Sequence, residues 1–250
     1  IIMAAEAHIA IAAEKIGQIG PLPITNTLLM SWITMSVLIA VSYIATHKMT
    51  LVPGGFQNIV ETIFEFFADL VDSTVGDAKK ASQFFAVVAT FFFLILTSNY
   101  LGLLPGVGTI GFQNHDEFVP LLRSANSDFN TTFALAVTSL VLTHYLAIKN
   151  LGIRQYLGRF FSFSPIFLFV GLLELVSEFT KLFSLSFRLF GNIFAGETVL
   201  TTIGGLFAFV APVPFLGLEL VVGFVQALVF AILTLAFMQL LSTSHTAEEH

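Results

Sequence analysis

Residues 24–46 carry no charged side chain. That run exceeds the roughly 20 residues an α-helix needs to cross a bilayer. Further apolar stretches follow at about 84–104, 129–151 and 165–241. A chain with this pattern cannot close around one water-soluble core. Soluble domains carry about 25% charged residues. Here the charged fraction is 10%, the hydrophobic fraction 56% and the mean hydropathy +0.90. The expected fold is therefore an all-α membrane protein, a single integral domain with lipid along most of its perimeter. With 29 Phe and one Trp, its apolar bulk is mostly rings with no polar atom to satisfy.

Other classes fall away quickly. A net charge of −6 argues against a nucleic-acid partner. No cysteine is present, which removes disulfides and Cys-based metal or redox sites. No G-x-x-x-x-G-K-[ST] phosphate loop occurs, so ATP chemistry would belong to another chain. No cofactor is implied. The first residue is Ile1, which suggests a processed or incomplete N-terminus, and no signal peptide is expected near it.

About five membrane-embedded helices are expected, plus one of another kind. Residues 1–20 read as a short helix within an external segment, 1–23, that Pro21 and Pro23 close. In 56–75 an apolar stripe of Phe56, Ile59, Val60, Ile63, Phe64, Phe67, Leu70 and Val71 has helical spacing. Glu61, Glu65, Asp69 and Asp72 lie off that stripe. This helix should rest in the interface, its acidic side turned to a partner protein or water. Residues 106–128 read as a polar loop. Its His115, Asp116 and Glu117 would be a metal cluster or, more simply, solvated side chains.

The stretch 165–241 should form a helical hairpin broken at Ala211-Pro212-Val213-Pro214. Its first arm is too long to cross perpendicularly, so the hairpin should be strongly tilted. Lys48, Lys79, Lys80, Arg154 and Arg159 fall in loops that alternating spans place on one side, the inner side by the positive-inside rule.

The hairpin also holds Glu174, Glu178, Lys181, Arg188, Glu197 and Glu219, with Asn192, Gln226 and Gln239. Each ionised group near the bilayer centre costs at least about 2.5–3.5 kcal/mol. Glu174, Lys181 and Arg188 are spaced i, i+7, i+14 and share a stripe, flanked by Ser184 and Asn192. Glu178 and Lys181 are i, i+3 and can pair. Glu197 comes two and a half turns after Arg188, nearly opposite and roughly 13 Å along the axis. Glu219 and Gln226 share a face. No acid stands within one turn of Arg188, so its counter-charge should come from another chain segment or molecule. Arginine stays protonated, whereas buried carboxylates can load and release protons. Competing readings stay open: Glu174, Glu178 and Lys181 as a structural ion-pair group, Asn192 and Gln226 as interhelical hydrogen-bond glue, and His144 as a packing or interfacial residue.

The run Ser186-Phe187-Arg188-Leu189-Phe190-Gly191-Asn192, with Ala195-Gly196-Glu197, closely resembles subunit a of the F-type ATP synthase membrane sector. Ser98-Asn99-Tyr100-Leu101-Gly102-Leu103-Leu104-Pro105-Gly106, Asp128-Phe129-Asn130-Thr131-Thr132 and Gln226-Ala227-Leu228-Val229-Phe230 resemble other parts of that family. The resemblance implies a stator subunit beside a rotating c-ring, with peripheral-stalk b subunits and the rest of the synthase as partners. It implies that Arg188 faces the ring's carboxylates. Glu197, Glu219, Gln226 and Asn192 would line the proton path, with Ser184, Glu174 and Lys181 at matching polar positions. Many members carry His where this chain has Glu219. A bacterial inner membrane fits best, with an organellar membrane as the alternative. A self-contained secondary transporter and a purely structural anchor are the rival classes; the first predicts inverted repeats, and none is evident.

Overall fold

A computed structural model of the chain describes residues 13–20, 22–47, 54–108, 110–114, 117–160, 165–206 and 212–243. Helices dominate it: α1 (Asn26–His47), α2 (Gly55–Val75), α3 (Ala78–Gly102), α4 (Phe129–Leu151), α5 (Ile153–Phe160), α6 (Pro165–Leu206) and α7 (Pro212–Ser242). Among the described residues α1, α3, α4 and α7 are long and apolar enough to cross a membrane. The chain is an all-α membrane protein, as its hydropathy requires. At 1.5 Å per residue α6 is roughly 63 Å long, about twice the hydrocarbon thickness.

Three local expectations are corrected. Lys15–Ile19 is not helical; it forms β1 and pairs antiparallel with β2, Leu22–Thr25. Gly17 and Gly20 disfavour helix there, and Gly20 takes φ 61° at the turn. Residues 1–12 lie outside the described residues. The segment after α3 is more ordered than a polar loop. It contains the short strand β3 (Pro105–Gly108) and a hairpin of β4 (Gly111–Asn114) with β5 (Glu117–Pro120). A 3₁₀ turn at Ala125–Ser127 comes next. Arg123, Ser124, Asn126, Ser127 and Asp128 are all buried. His115 and Asp116 lie outside the described residues, and no metal-binding group of acids and histidines occurs among those described. Finally, Gly152 at φ 83° ends α4, and the chain turns at once into α5, a helix not anticipated.

Helix α2 falls where the apolar stripe places it. Gly76 stops it with φ 69°, its N–H donating to the Asp72 carbonyl at 3.0 Å. Phe67 and Val71 are buried, but Ile59 and Phe64 from the same stripe stay exposed, as do Glu65, Asp69 and Asp72 on the acidic side.

The chain divides into two compact units. One comprises Ile1–His47, Phe92–Thr132 and Ser186–Leu228. Here Asn26, wholly buried, ties the residue just before β1 to α1: its Oδ1 accepts from the Glu14 N–H at 3.3 Å. Gly102 lets the 3₁₀ segment approach α3, since a Cβ there would stand 2.7 Å from the Ser124 Cβ and Oγ. The other comprises Lys48–Phe91, Phe133–Leu185 and Val229–His250. Within it Phe91 meets Phe230 at 5.3 Å, and Ser139 and Thr234 share a buried hydrogen bond of 2.9 Å between α4 and α7. Gly171 on α6 is seated against the backbone carbonyl of Phe160, the last residue of α5, where a Cβ would collide.

These two contacts differ in weight. An interhelical hydrogen bond in a membrane protein contributes about 0.6 kcal/mol on average. Overpacking costs about 1–3 kcal/mol, and a backbone carbonyl cannot swing aside as a side chain can. Gly171→Ala is therefore expected to lower the thermal midpoint of the detergent-solubilised protein more than Ser139→Ala does. Thermal unfolding of both variants in one detergent checks that order.

Candidate functional site

The ionisable residues of α6 and α7 are held in different ways. Along α6, Phe187, Arg188, Gly191, Asn192 and Ala195 are exposed, while Ser186, Leu189 and Ile193 are buried. The exposed positions recur at helical spacing, so they form one outward stripe. Arg188 is therefore one of the exposed residues of this stripe. Asn192 donates from Nδ2 to the Arg188 carbonyl at 2.8 Å, which anchors the amide one turn away. Ser184, in the second unit, is exposed as well.

Glu197 lies on the other side of α6, as the two-and-a-half-turn spacing requires. Its partner is Arg123, 74 residues earlier, from the segment between β5 and the 3₁₀ turn. Arg123 Nε donates to Glu197 Oε1 at 3.1 Å and lies 3.4 Å from Oε2. The Arg123 side chain is 6% exposed and that of Glu197 31%. The carboxylate thus keeps a route to its surroundings while a buried guanidinium holds it in place. Nothing local in the sequence marks Arg123. It is one polar residue among several between two spans, and its acid is remote in sequence.

Glu219 on α7 is buried, 6% exposed. It sits directly against Gly196, whose missing side chain makes the space for its carboxylate; a Cβ there would overlap both oxygens. No hydrogen bond reaches Glu219 from another described residue. Glycine at 196 thus brings α6 and α7 together at an acid, and the neighbouring residue, Glu197, carries the paired one. Gln226, seven residues beyond Glu219, is half-buried.

A polar chain extends this unit toward α3. Asn126 Nδ2 donates to Asn99 Oδ1 at 2.7 Å, and Asn99 Nδ2 donates to the Gly223 carbonyl at 2.9 Å. Gly223 permits that approach, since a Cβ would stand 3.2 Å from the Asn99 Cβ. All three residues are buried. Asn99 and Asn126 are site residues that helical periodicity could not single out.

In the second unit Glu178 is buried and its Oε1 accepts from Lys181 Nζ at 2.7 Å, as the i, i+3 spacing suggests. Glu174 is half-buried. Of the polar residues singled out in sequence, the structure brings together Glu178 with Lys181 and Asn192 with the Arg188 backbone. Glu197 is instead joined to Arg123, and Glu219 to Gly196.

The family model described as ATP synthase A chain matches residues 28–239. A protein named ATP synthase subunit a, from Moorella thermoacetica, is 35% identical over 223 residues, 89% of this chain and 93% of that one. One from Desulforamulus reducens is 33% identical over 235 residues, covering 90% and 82%. One from Geotalea uraniireducens is 34% identical over 212 residues, 84% of each chain. With the match running from α1 almost to the end of α7, across every residue of the site, the chain belongs to the ATP synthase subunit a family.

Proposed function

We propose that this chain is the stator of a rotary ATP synthase and provides two offset half-channels through which protons reach and leave a c-ring. The observation that carries the reading is the outward stripe bearing Arg188. A guanidinium exposed on a membrane helix can interact with an acid on a neighbouring molecule, and a rotor carboxylate is such an acid. A protonated carboxyl can travel through lipid, whereas an ionised one cannot. Arg188 then favours loss of the proton from each passing acid, and as a fixed cation it bars direct leakage between the half-channels. Each elementary charge crossing 100 mV releases about 2.3 kcal/mol, so several protons are needed per ATP. The chain itself performs no covalent chemistry; nucleotide catalysis belongs to other subunits.

The polar residues of the Arg123 unit fit the outer half-channel. Glu219 and Glu197 are its proton-handling acids, with Gln226, Asn192, Asn99 and Asn126 as polar lining. Ser184, Glu174, Glu178 and Lys181 belong to the inner side, toward which the Lys and Arg residues of the short loops point. The acidic side of α2 is offered to the peripheral stalk. The membrane is the plasma membrane of a bacterium, in keeping with the bacterial relatives.

In inverted membrane vesicles, Arg188→Ala is expected to abolish ATP-driven proton pumping and ATP synthesis. Arg188→Lys is expected to fail too, because a desolvated ammonium can lose its proton. Dye-quench pumping and ATP yield check both, and pumping by either variant at the parent rate would refute the stator role. Gly196→Ala is expected to displace the Glu219 carboxyl and slow pumping. Combining it with the shorter acid in Glu219→Asp should recover part of the loss, measurable as a positive coupling in the double-mutant cycle.

A further inference from the structure

We propose that His144, held by Tyr156 and facing Glu178, is a proton-exchanging residue of the inner half-channel. This rests on the stator reading and adds to it a residue that sequence alone reads as packing or interfacial.

The cluster lies wholly within one unit and draws on three elements. His144 stands on α4, Tyr156 on α5, and Glu178 and Lys181 on α6. Tyr156 Oη lies 2.8 Å from His144 Nδ1, and the two rings meet edge to face at 5.9 Å. His144 Nε2 lies 3.8 Å from Glu178 Oε2. Glu178 Oε1 is taken by Lys181 Nζ at 2.7 Å. Its Oε2 is buried and accepts no hydrogen bond from another described residue.

Charge balance alone does not account for the histidine. Lys181 already neutralises Glu178. Its ammonium also lies 4.8 Å over the Phe237 ring, so it is a fixed cation bound on two sides. What His144 adds is a group whose ordinary titration range falls near neutral pH. The 3.8 Å gap is too long for a hydrogen bond, yet short enough for a small rotation or one water to close. The side chains of Glu178 and Lys181 are 8% and 13% exposed, and that of His144 is 24%. The imidazole is therefore the most open of the three. It lies near the end of α4 that carries Lys149, with the exposed Arg154 beyond it on α5. By the charge rule that end faces the inner solution.

The step balances in protons. With Nδ1–H donated to Tyr156 Oη, neutral His144 presents the Nε2 lone pair toward Glu178. A proton arriving on Glu178 makes the neutral acid. It then moves from Oε2 to Nε2, restoring the carboxylate and giving an imidazolium. The imidazolium gives the Nε2 proton to inner water and returns to the same tautomer. Tyr156 moves no proton; it is a positioning residue that fixes the ring.

The test uses the assembled synthase in inverted vesicles, with pumping normalised to bound ATPase. His144→Ala is expected to slow ATP-driven pumping by about tenfold. That is less than the roughly hundredfold or greater loss typical of a missing acid–base group, because water can substitute in part. Added imidazole should restore a substantial part of the rate. His144→Gln keeps a hydrogen-bonding side chain of similar reach but cannot carry the proton. It should be as slow as the alanine variant and gain nothing from imidazole. Parent-like pumping by either variant, or an alanine variant indifferent to imidazole, would overturn the proposal. Arg188→Ala in the same vesicles separates the two levels. If it pumps, the stator reading fails; if it is dead while the His144 variants pump normally, only the His144 assignment fails.

Discussion

A charge in a low-dielectric medium must find a counter-charge or a partner, and in this chain that single requirement organises the arrangement around Arg188 and Glu197. Arg123, from an irregular segment, is buried to meet Glu197 at 3.1 Å. The pairing explains why a stretch with short strands and a 3₁₀ turn is packed instead of solvated. It also leaves Arg188, on the far side of the same helix, facing outward. The two arginines thus stand differently: Arg123 is buried against an internal acid, and Arg188 lies on the exposed stripe of α6.

Glycine is the second organiser, through absence of side chain. Gly196 makes room for the Glu219 carboxyl, Gly223 for Asn99, Gly102 for Ser124 and Gly171 for the end of α5. Between membrane helices there is little hydrophobic driving force, so close approach and van der Waals contact carry association. Small residues at these four places therefore hold helices and bring polar groups together in the same stroke. The interhelical hydrogen bonds, such as Ser139 with Thr234, add specificity on a framework that close packing already secures.

The two units solve the polar problem differently. In one, Arg123, Glu197, Glu219, Asn99 and Asn126 form a group in which acids are partly or wholly sheltered and the neutral amides are hydrogen-bonded in series. In the other, Glu178 is clamped by a lysine on one oxygen and left open toward an imidazole on the other. Glu178 thus has one oxygen saturated and one available, whereas Glu197 is oriented by a guanidinium and keeps a partly exposed side chain.

Hydropathy determined the membrane class and the places of α1, α2, α3, α4 and the two hairpin arms, because long apolar runs and helical stripes are local properties of the chain. Helix geometry determined the pairing of Glu178 with Lys181 and the opposition of Arg188 and Glu197, because it fixes those angles. Residues 15–19 went the other way: the alanines and isoleucines nearby suggested helix, but two glycines and a turn made a hairpin the better solution. What only the tertiary structure decided was every contact across distance. Arg123 reaches Glu197 from 74 residues away, Glu219 is seated on Gly196, and His144 is drawn to Tyr156 and Glu178. No pattern of period two or 3.6 encodes such meetings, since they depend on which helices approach and on where a missing Cβ lets them do so.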